Sequence, residues 1–306
     1  KHALEAAQNL TIKQAIVERL LVSEGRVTGV ETSIGERFSG SAVIIATGTF
    51  LNGLIHCGEQ KYPAGRSGEP PAVLLGEALR GMGFEVGRLK TGTPPRLDRR
   101  TIDFSKFKVQ PGDPVPTPFS FRTRAITQEQ TVCWIALTND ETHRVIRENI
   151  HRSPLYSGQI QSIGPRYCPS IEEKVVRFGH KESHQIFLEP QGLETNEVYP
   201  NGLSTSLPED VQLAALRSIA GLEEARVIRF GYGIEHAVVE NFPVRENFFT
   251  GKLGNGRRRG GLTSLVQQQD TANKANAEAT SAERMRIMGT DAVGLESDRR
   301  VLEPSV

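Results

Sequence analysis

Cysteine is scarce in this sequence: three in 306 residues, Cys57, Cys133 and Cys168, with no C-x-x-C pair among them. That scatter excludes a disulfide framework and a thiolate metal site, and it predicts a reducing compartment. No H-E-x-x-H run occurs among the seven histidines, and no metal site is expected. No apolar run approaches the roughly 20 residues a membrane helix needs, so no membrane span is predicted. A surplus of either charge is lacking too, with 37 Lys and Arg against 36 Asp and Glu. Blanket attraction to nucleic acid is thereby excluded, and any such binding must come from a local patch. Finally, no G-x-G-x-x-G run is present, so the usual signal for dinucleotide binding is missing.

What the chain does have is 30 Gly and 17 Pro, many fixed turns in a length sufficient for one large domain or two ordinary ones. Residues 16–48 read as short alternating strands joined at Glu24-Gly25 and at Ile34-Gly35-Glu36. They end in Ala42-Val43-Ile44-Ile45-Ala46, an apolar run of the kind found in a parallel strand buried on both faces. The periodicity of 71–81 predicts a helix, and RLKTGTPPRLDRRTIDF (88–104) an ordered loop. Residues 109–120 are Pro-rich and read as an extended surface linker. Further on, strands are expected at 131–137 and 185–188 and helices at 139–150, 172–178 and 207–220, with Ser206 as a cap for the last. Residues 189–206 carry no apolar pattern and read as a long irregular segment. The texture changes near Glu235. Lys1 opens the chain inside a helix-like stretch, and the expectation is of a longer parent protein.

Three clusters carry candidate chemistry. The strand ending Thr47-Gly48 is a possible nucleotide-site element, since a small residue and Gly at its carboxyl end let backbone approach a ligand. An ordinary turn is the competing reading. Cys168 lies in GPRYCPSIEEKVVRF between Pro165 and Pro169, with Arg166 nearby and a helix predicted to start at Ser170 or Ile171. A cation and a helix amino terminus both lower a thiol pKa, so the sulfur reads as a nucleophile or as a buried structural thiol. The same helix start would suit a cofactor phosphate. The third cluster is basic: Arg88, Lys90, Arg96, Arg99 and Arg100 could hold phosphates of a cofactor or RNA, or form a solvated surface.

Several long stretches, ATGTFLNGLIHCG, GRSGEPP, GRLKTGTPPRLDRRTIDFS, NDETHRVIRENIHRSPLYSG, GPRYCPSIEEKVVRF and HQIFLEPQGLETNEVYPNGLSTSLPEDVQ, resemble the MnmG/GidA family, the FAD-dependent tRNA wobble-uridine 5-carboxymethylaminomethyl modification enzymes. The resemblance implies an α/β, glutathione-reductase-like FAD/NAD(P)-binding fold with an inserted α/β domain, incomplete in this chain. It implies FAD, NADH that reduces it, methylenetetrahydrofolate as one-carbon donor, tRNA as substrate, a GTPase partner of the MnmE type, a homodimer, and a bacterial cytoplasmic or mitochondrial location. The expected division is 1–91 partial FAD domain, 92–171 inserted domain with the NAD segment at its end, 172–250 return to the FAD domain, and 251–306 a divergent, poorly ordered tail. Val17, Thr47, Gly48 and Ala72 are expected on FAD, Ala72 through its backbone. So is Lys252, which stands where the family motif has a flavin-contacting Gln. NAD is expected along Gly164, Pro165, Arg166, Tyr167, Cys168, Pro169, Ser170, Ile171, Glu172, Glu173, Lys174, Val175, Val176, Arg177 and Phe178. Cys168 matches one of two essential cysteines of the family. Two alternatives stay open: a non-catalytic product that retains nucleotide or tRNA binding, and a folate- and FAD-dependent tRNA uracil methyltransferase.

Overall fold

The computed structural model describes residues 2–164 and 169–239 together with the short strand at 262–264. Pro165, Arg166, Tyr167, Cys168 and Lys252 lie outside the described residues. A short helix, α1 (His2–Glu5), precedes an antiparallel meander of β1 (Val17–Ser23), β2 (Arg26–Thr32) and β3 (Arg37–Ser39). Glu24 and Gly25 join the first two strands with φ of 50° and 72°, the pair of left-handed residues that a type I′ hairpin requires. β4 (Val43–Ile45) follows, then the hairpin β5 (Leu54–Cys57) and β6 (Gln60–Pro63). Helix α2 (Val73–Gly81) turns Leu75 and Leu79 into a core shared with Leu20, Val27 and Ile45.

The next stretch differs from its sequence reading. Residues 88–104, expected as a loop, contain most of β7 (Val86–Thr93), all of β8 (Arg96–Asp98) and a 3-10 turn, Arg99–Thr101. Their partners are remote in sequence, so nothing local signals a strand, and tertiary pairing overrides a Gly- and Pro-rich composition. β9 (Lys108–Gln110) takes in the first two residues of the stretch read as a linker, 109–120; the rest of that stretch, and the chain on to residue 132, has no helix or strand. β10 (Cys133–Leu137) leads to α3 (Asp140–Glu148), whose capping box pairs Asn139 with Thr142, and α4 (Ile171–Arg177) has a capping box of Ser170 with Glu173. β11 (Gln185–Pro190), expected as a strand at 185–188, forms a hairpin with β12 (Glu197–Asn201), which lies in what reads as irregular sequence. At α5 (Glu209–Arg217) Pro208 holds the cap position, while Ser206, the expected cap, instead donates to Glu172 from both its backbone N–H and its hydroxyl. β13 (Val227–Arg229) and β14 (Tyr232–Val239) complete the described chain apart from β15 (Leu262–Ser264), which runs parallel to β4.

These elements make a mixed α/β structure with two main sheets. One has six strands in the order β13-β8-β12-β11-β10-β9, all antiparallel, with α3, α4 and α5 contributing Ile146, Ile171, Val175, Val211 and Leu216 to its core. Its strands come from both sides of residue 171, the first of α4. The other has the order β6-β5-β14-β7, and every residue of β14 is buried. β4 departs from expectation on one point: Ile44 is 62% exposed, so the strand is covered on one face only. Among the described residues it has a single sheet partner, and its core contacts all come through Val43 and Ile45. Among the described residues, no helix is long and apolar enough to cross a membrane.

Candidate functional site

The sheet β6-β5-β14-β7 forms the floor of an open cleft of about 730 Å³, walled by Asn52, Leu54, Lys61, Val73, Arg88 and the stretch 159–163. Alternation along β5 and β14 puts His56 and Glu235 on one face of the sheet, with Glu235 lining the cleft, and their registers bring them together across 179 residues. His56 Nε2 lies 2.8 Å from Glu235 Oε2, and both side chains are almost wholly removed from solvent. Gln159 Nε2 donates to His56 Nδ1 at 2.9 Å, which leaves the ring proton on Nε2, facing the carboxylate. Glu235 Oε1 accepts from the backbone N–H groups of Gln161 (3.3 Å) and Ser162 (3.0 Å) and from the Ser162 hydroxyl.

Burial alone would raise the Glu235 carboxyl. Hydrogen bonds from the Ser162 side chain and backbone and from His56 outweigh it and hold the group below the ordinary glutamate value. For His56 burial wins over the attraction of Glu235 and pushes the imidazole down, so the pair is a carboxylate beside a neutral ring.

This pair fastens one flank of the GPRYC segment. Residues 161–162 hang on Glu235, and Lys90 N on β7 donates to Ile163 O at 3.2 Å. The other flank is held separately. Ser170 N donates to Glu173 Oε2, Ile171 N donates to Ser204 O at 2.7 Å, and the buried Lys90 ammonium lies 3.6 Å from Glu173. Glu172, with no exposed surface, takes Ser206 N–H and both the Ser206 and Ser153 hydroxyls on Oε1. The start of α4 therefore spends these donors within the chain, and two carboxylates already stand in its first turn. Ile171 and Val175 are core residues, and Lys174 donates to Gly202 O. Val176, Arg177 and Phe178 stay at the surface, Arg177 3.2 Å from Glu173.

The basic cluster is dispersed over two sheets and a 3-10 turn. Arg88 faces the cleft and donates to Asn52 O, whereas Lys90 points into the protein at Glu173. Arg96 stacks on Tyr199 at 4.3 Å and lies 3.3 Å from Glu197. Arg99 lies 5.9 Å from the centroid of Phe104 and 5.8 Å from that of Trp134, and Arg100 is paired with Asp98, which it holds down at a pKa of about 2.

On the side expected for FAD, Gly48, three residues beyond the end of β4, has φ of 54° and open space where a Cβ would stand. Val17 starts β1, half-buried. Ala72 N donates to Phe50 O and Ala72 O accepts from Asn52 N, so its N–H is committed within the chain. At Cys57, one residue beyond His56, burial first and then nearby Glu209 push the thiol up to about 11, away from the thiolate form that attacks. Burial raises Cys133 as well.

Sequence reasoning missed His56, Gln159, Ser162 and Glu235. Only Glu235 had a signal, the apolar run GYGIEHAVV (231–239), in which a charged residue is conspicuous; His56, Gln159 and Ser162 had none.

The family model described as "Glucose inhibited division protein A" matches residues 1–254. A curated relative from Geobacter sulfurreducens, tRNA uridine 5-carboxymethylaminomethyl modification enzyme MnmG, is 47% identical over 298 residues, which is 97% of this chain and 47% of the relative. The protein of that name from Thermodesulfovibrio yellowstonii is 54% identical over 242 residues, 79% of this chain and 39% of the relative. The solved structure of Aquifex aeolicus GidA, form I crystal, superposes with a TM-score of 0.77 at 44% identity, covering 96% of this chain and 50% of that one. The chain thus spans about half the length of the curated relatives it matches. With the family model matching across most of its length, the chain belongs to the glucose-inhibited division protein A (GidA) family.

Proposed function

We propose that this chain is part of an FAD-dependent enzyme that places a 5-carboxymethylaminomethyl group on the wobble uridine of tRNA. The observation that carries the reading is 47% to 54% identity to relatives named for that modification, over a stretch that includes the doubly fastened GPRYC segment. In this reading Thr47, Gly48, Val17 and Ala72 border the flavin, and the open left-handed Gly48 fits a ligand that approaches the backbone. Flavin supplies the redox chemistry when bound, with NADH as its reductant. The chain's own contribution is to fasten residues 161–163 and 170–171, the described flanks of the stretch that carries Cys168. Methylenetetrahydrofolate as one-carbon donor, an MnmE-type GTPase partner, a homodimeric state and a cytoplasmic location complete the proposal.

The test is nucleoside analysis of tRNA from cells lacking the endogenous enzyme and supplied with the full-length parent or its Cys168→Ser form. Restored modification by the parent and its loss in the variant are expected. Failure of the parent to restore it would remove the reading, and near-normal modification by the variant would remove Cys168 from the chemistry.

A second reading is favoured by one observation, the lack of a G-x-G-x-x-G run in these 306 residues. The chain by itself is then a non-catalytic product, since that run supplies backbone contacts to the cofactor pyrophosphate. Purification in the presence of FAD is expected to leave the chain colourless; a tight stoichiometric yellow complex would overturn this.

A further inference from the structure

The geometry points to a nucleic-acid contact outside the cleft, on the segment between β9 and β10: we propose that Phe119 and Phe121, with Arg122 and Arg124, bind single-stranded RNA by stacking and phosphate pairing. Both phenylalanines stand fully in solvent, at 105% and 100% exposure, while Phe104 and Phe107 nearby in sequence pack against the core. A folded chain gains by burying such rings, so two kept in water within three residues mark a surface that awaits a partner. Their presentation is built in: Arg122 N donates to the Ser120 hydroxyl and Thr123 N to Ser120 O, a local turn held without packing.

Charge decides what the partner is. Lys106, Lys108, Arg122 and Arg124 form no ion pair among the described residues, whereas residues 106–130 contain only two acids, Asp113 and Glu129. Arg96, Arg100, Arg144 and Arg152 by contrast are matched, by Glu197, by Asp98, by Glu141 and Glu148, and by Glu59 and Asp210; other cations without an ion pair among the described residues, such as Arg19, Arg26 and Lys61, have no bare aromatic pair like Phe119 and Phe121 within three residues of them. Unmatched cations beside bare aromatic rings suit a polyanion that also offers flat faces. Unpaired bases offer such faces, and bases inside a duplex do not. The inference deepens the tRNA reading above by assigning the surface that would hold an unstacked loop. It moves that role from residues 88–100, whose cations are mostly neutralised, to 106–124.

The experiment is fluorescence anisotropy of a fluorescein-labelled oligouridine against the purified chain at several salt concentrations, with labelled duplex RNA alongside. Phe119→Ala/Phe121→Ala is expected to weaken oligouridine binding about tenfold or more with an unchanged salt slope. Arg122→Gln/Arg124→Gln is expected to flatten the slope of log K on log salt by about 1.4. Both variants should melt like the parent, because these side chains pack on nothing. Equal affinity of the Phe variant and the parent overturns the proposal, as do absent oligouridine binding and tighter binding of duplex. So does a Phe variant that changes only the sedimentation of the chain, which would assign the rings to a protein interface. No cofactor enters this assay, so a failed tRNA modification test leaves its outcome independent.

Discussion

Glu235 concentrates more of the site on one side chain than any other residue described. Its two oxygens accept from His56, Ser162 and the backbone of 161–162, and so join β5, β14 and the wall of the cleft. Removing it strands three donors and a buried ring without an acceptor. Glu235→Ala is expected to lower stability by about 3 kcal/mol, read as a shift of the urea midpoint, and Glu235→Gln by less, because the amide oxygen still accepts from Ser162. Equal stability of the Ala variant would show that the network contributes nothing net. The pairing itself was not readable in advance. A carboxylate and a histidine 179 residues apart carry no mutual sequence signal, whereas Cys168, set between two prolines and beside Arg166, advertised itself locally.

At the scale of elements, the legible pieces were those whose cause is local. Asn139 and Ser170 cap α3 and α4 through side chains three residues away, and Glu24-Gly25 turns a hairpin through its own φ angles. What failed was what long-range pairing decides: β7 and β8 read as loop, β14 went unassigned, and Ser206 left its helix to serve Glu172. Helix α2 shows a second kind of long-range demand. Gly76 lies against Asn52, whose Oδ1 would stand 1.6 Å from any Cβ at that position. Helix propensity favours Gly76→Ala by about 1 kcal/mol, but the collision with a side chain tied to Glu77 opposes it. The clash is expected to win, with net destabilisation of about 1–2 kcal/mol in thermal unfolding. A rise in the melting temperature would show that Asn52 gives way freely.

For the molecule as a whole, the buried histidines set the response to acid. Burial lowers His56, His143, His184 and His236 from 6.5, and each therefore stays neutral in the fold after it would protonate in the unfolded chain. Below pH 6.5 the unfolded state binds more protons, so the stabilising contribution is full above that value and is lost as pH falls. Each such residue adds up to about 1.4 kcal/mol per pH unit to the decline. His143 and His184, with ring centroids 5.3 Å apart, resist a second proton further. Glu235 adds its own loss at lower pH, since its carboxyl is held below the ordinary range. Urea midpoints should therefore be nearly flat above about pH 7 and drop steeply toward about pH 5. A midpoint insensitive to acid over that interval would contradict the burial of these rings.

The order of the sheet β6-β5-β14-β7 bears on how the chain is made. β14 is the last of the four to leave the ribosome, yet it takes the inner place, pairing with β5 on one edge and with β7 along eight positions on the other. Until residue 239 is synthesised, β5 and β7 each present an open edge, and the nascent chain must keep a slot vacant between them. Such a sheet closes late and all at once, by a contact with one of the longest loops in the described chain, so folding of this half is slow and follows synthesis instead of accompanying it. A stop codon a few residues before Tyr232 would leave two exposed strand edges with nothing to join them, a ready template for aggregation.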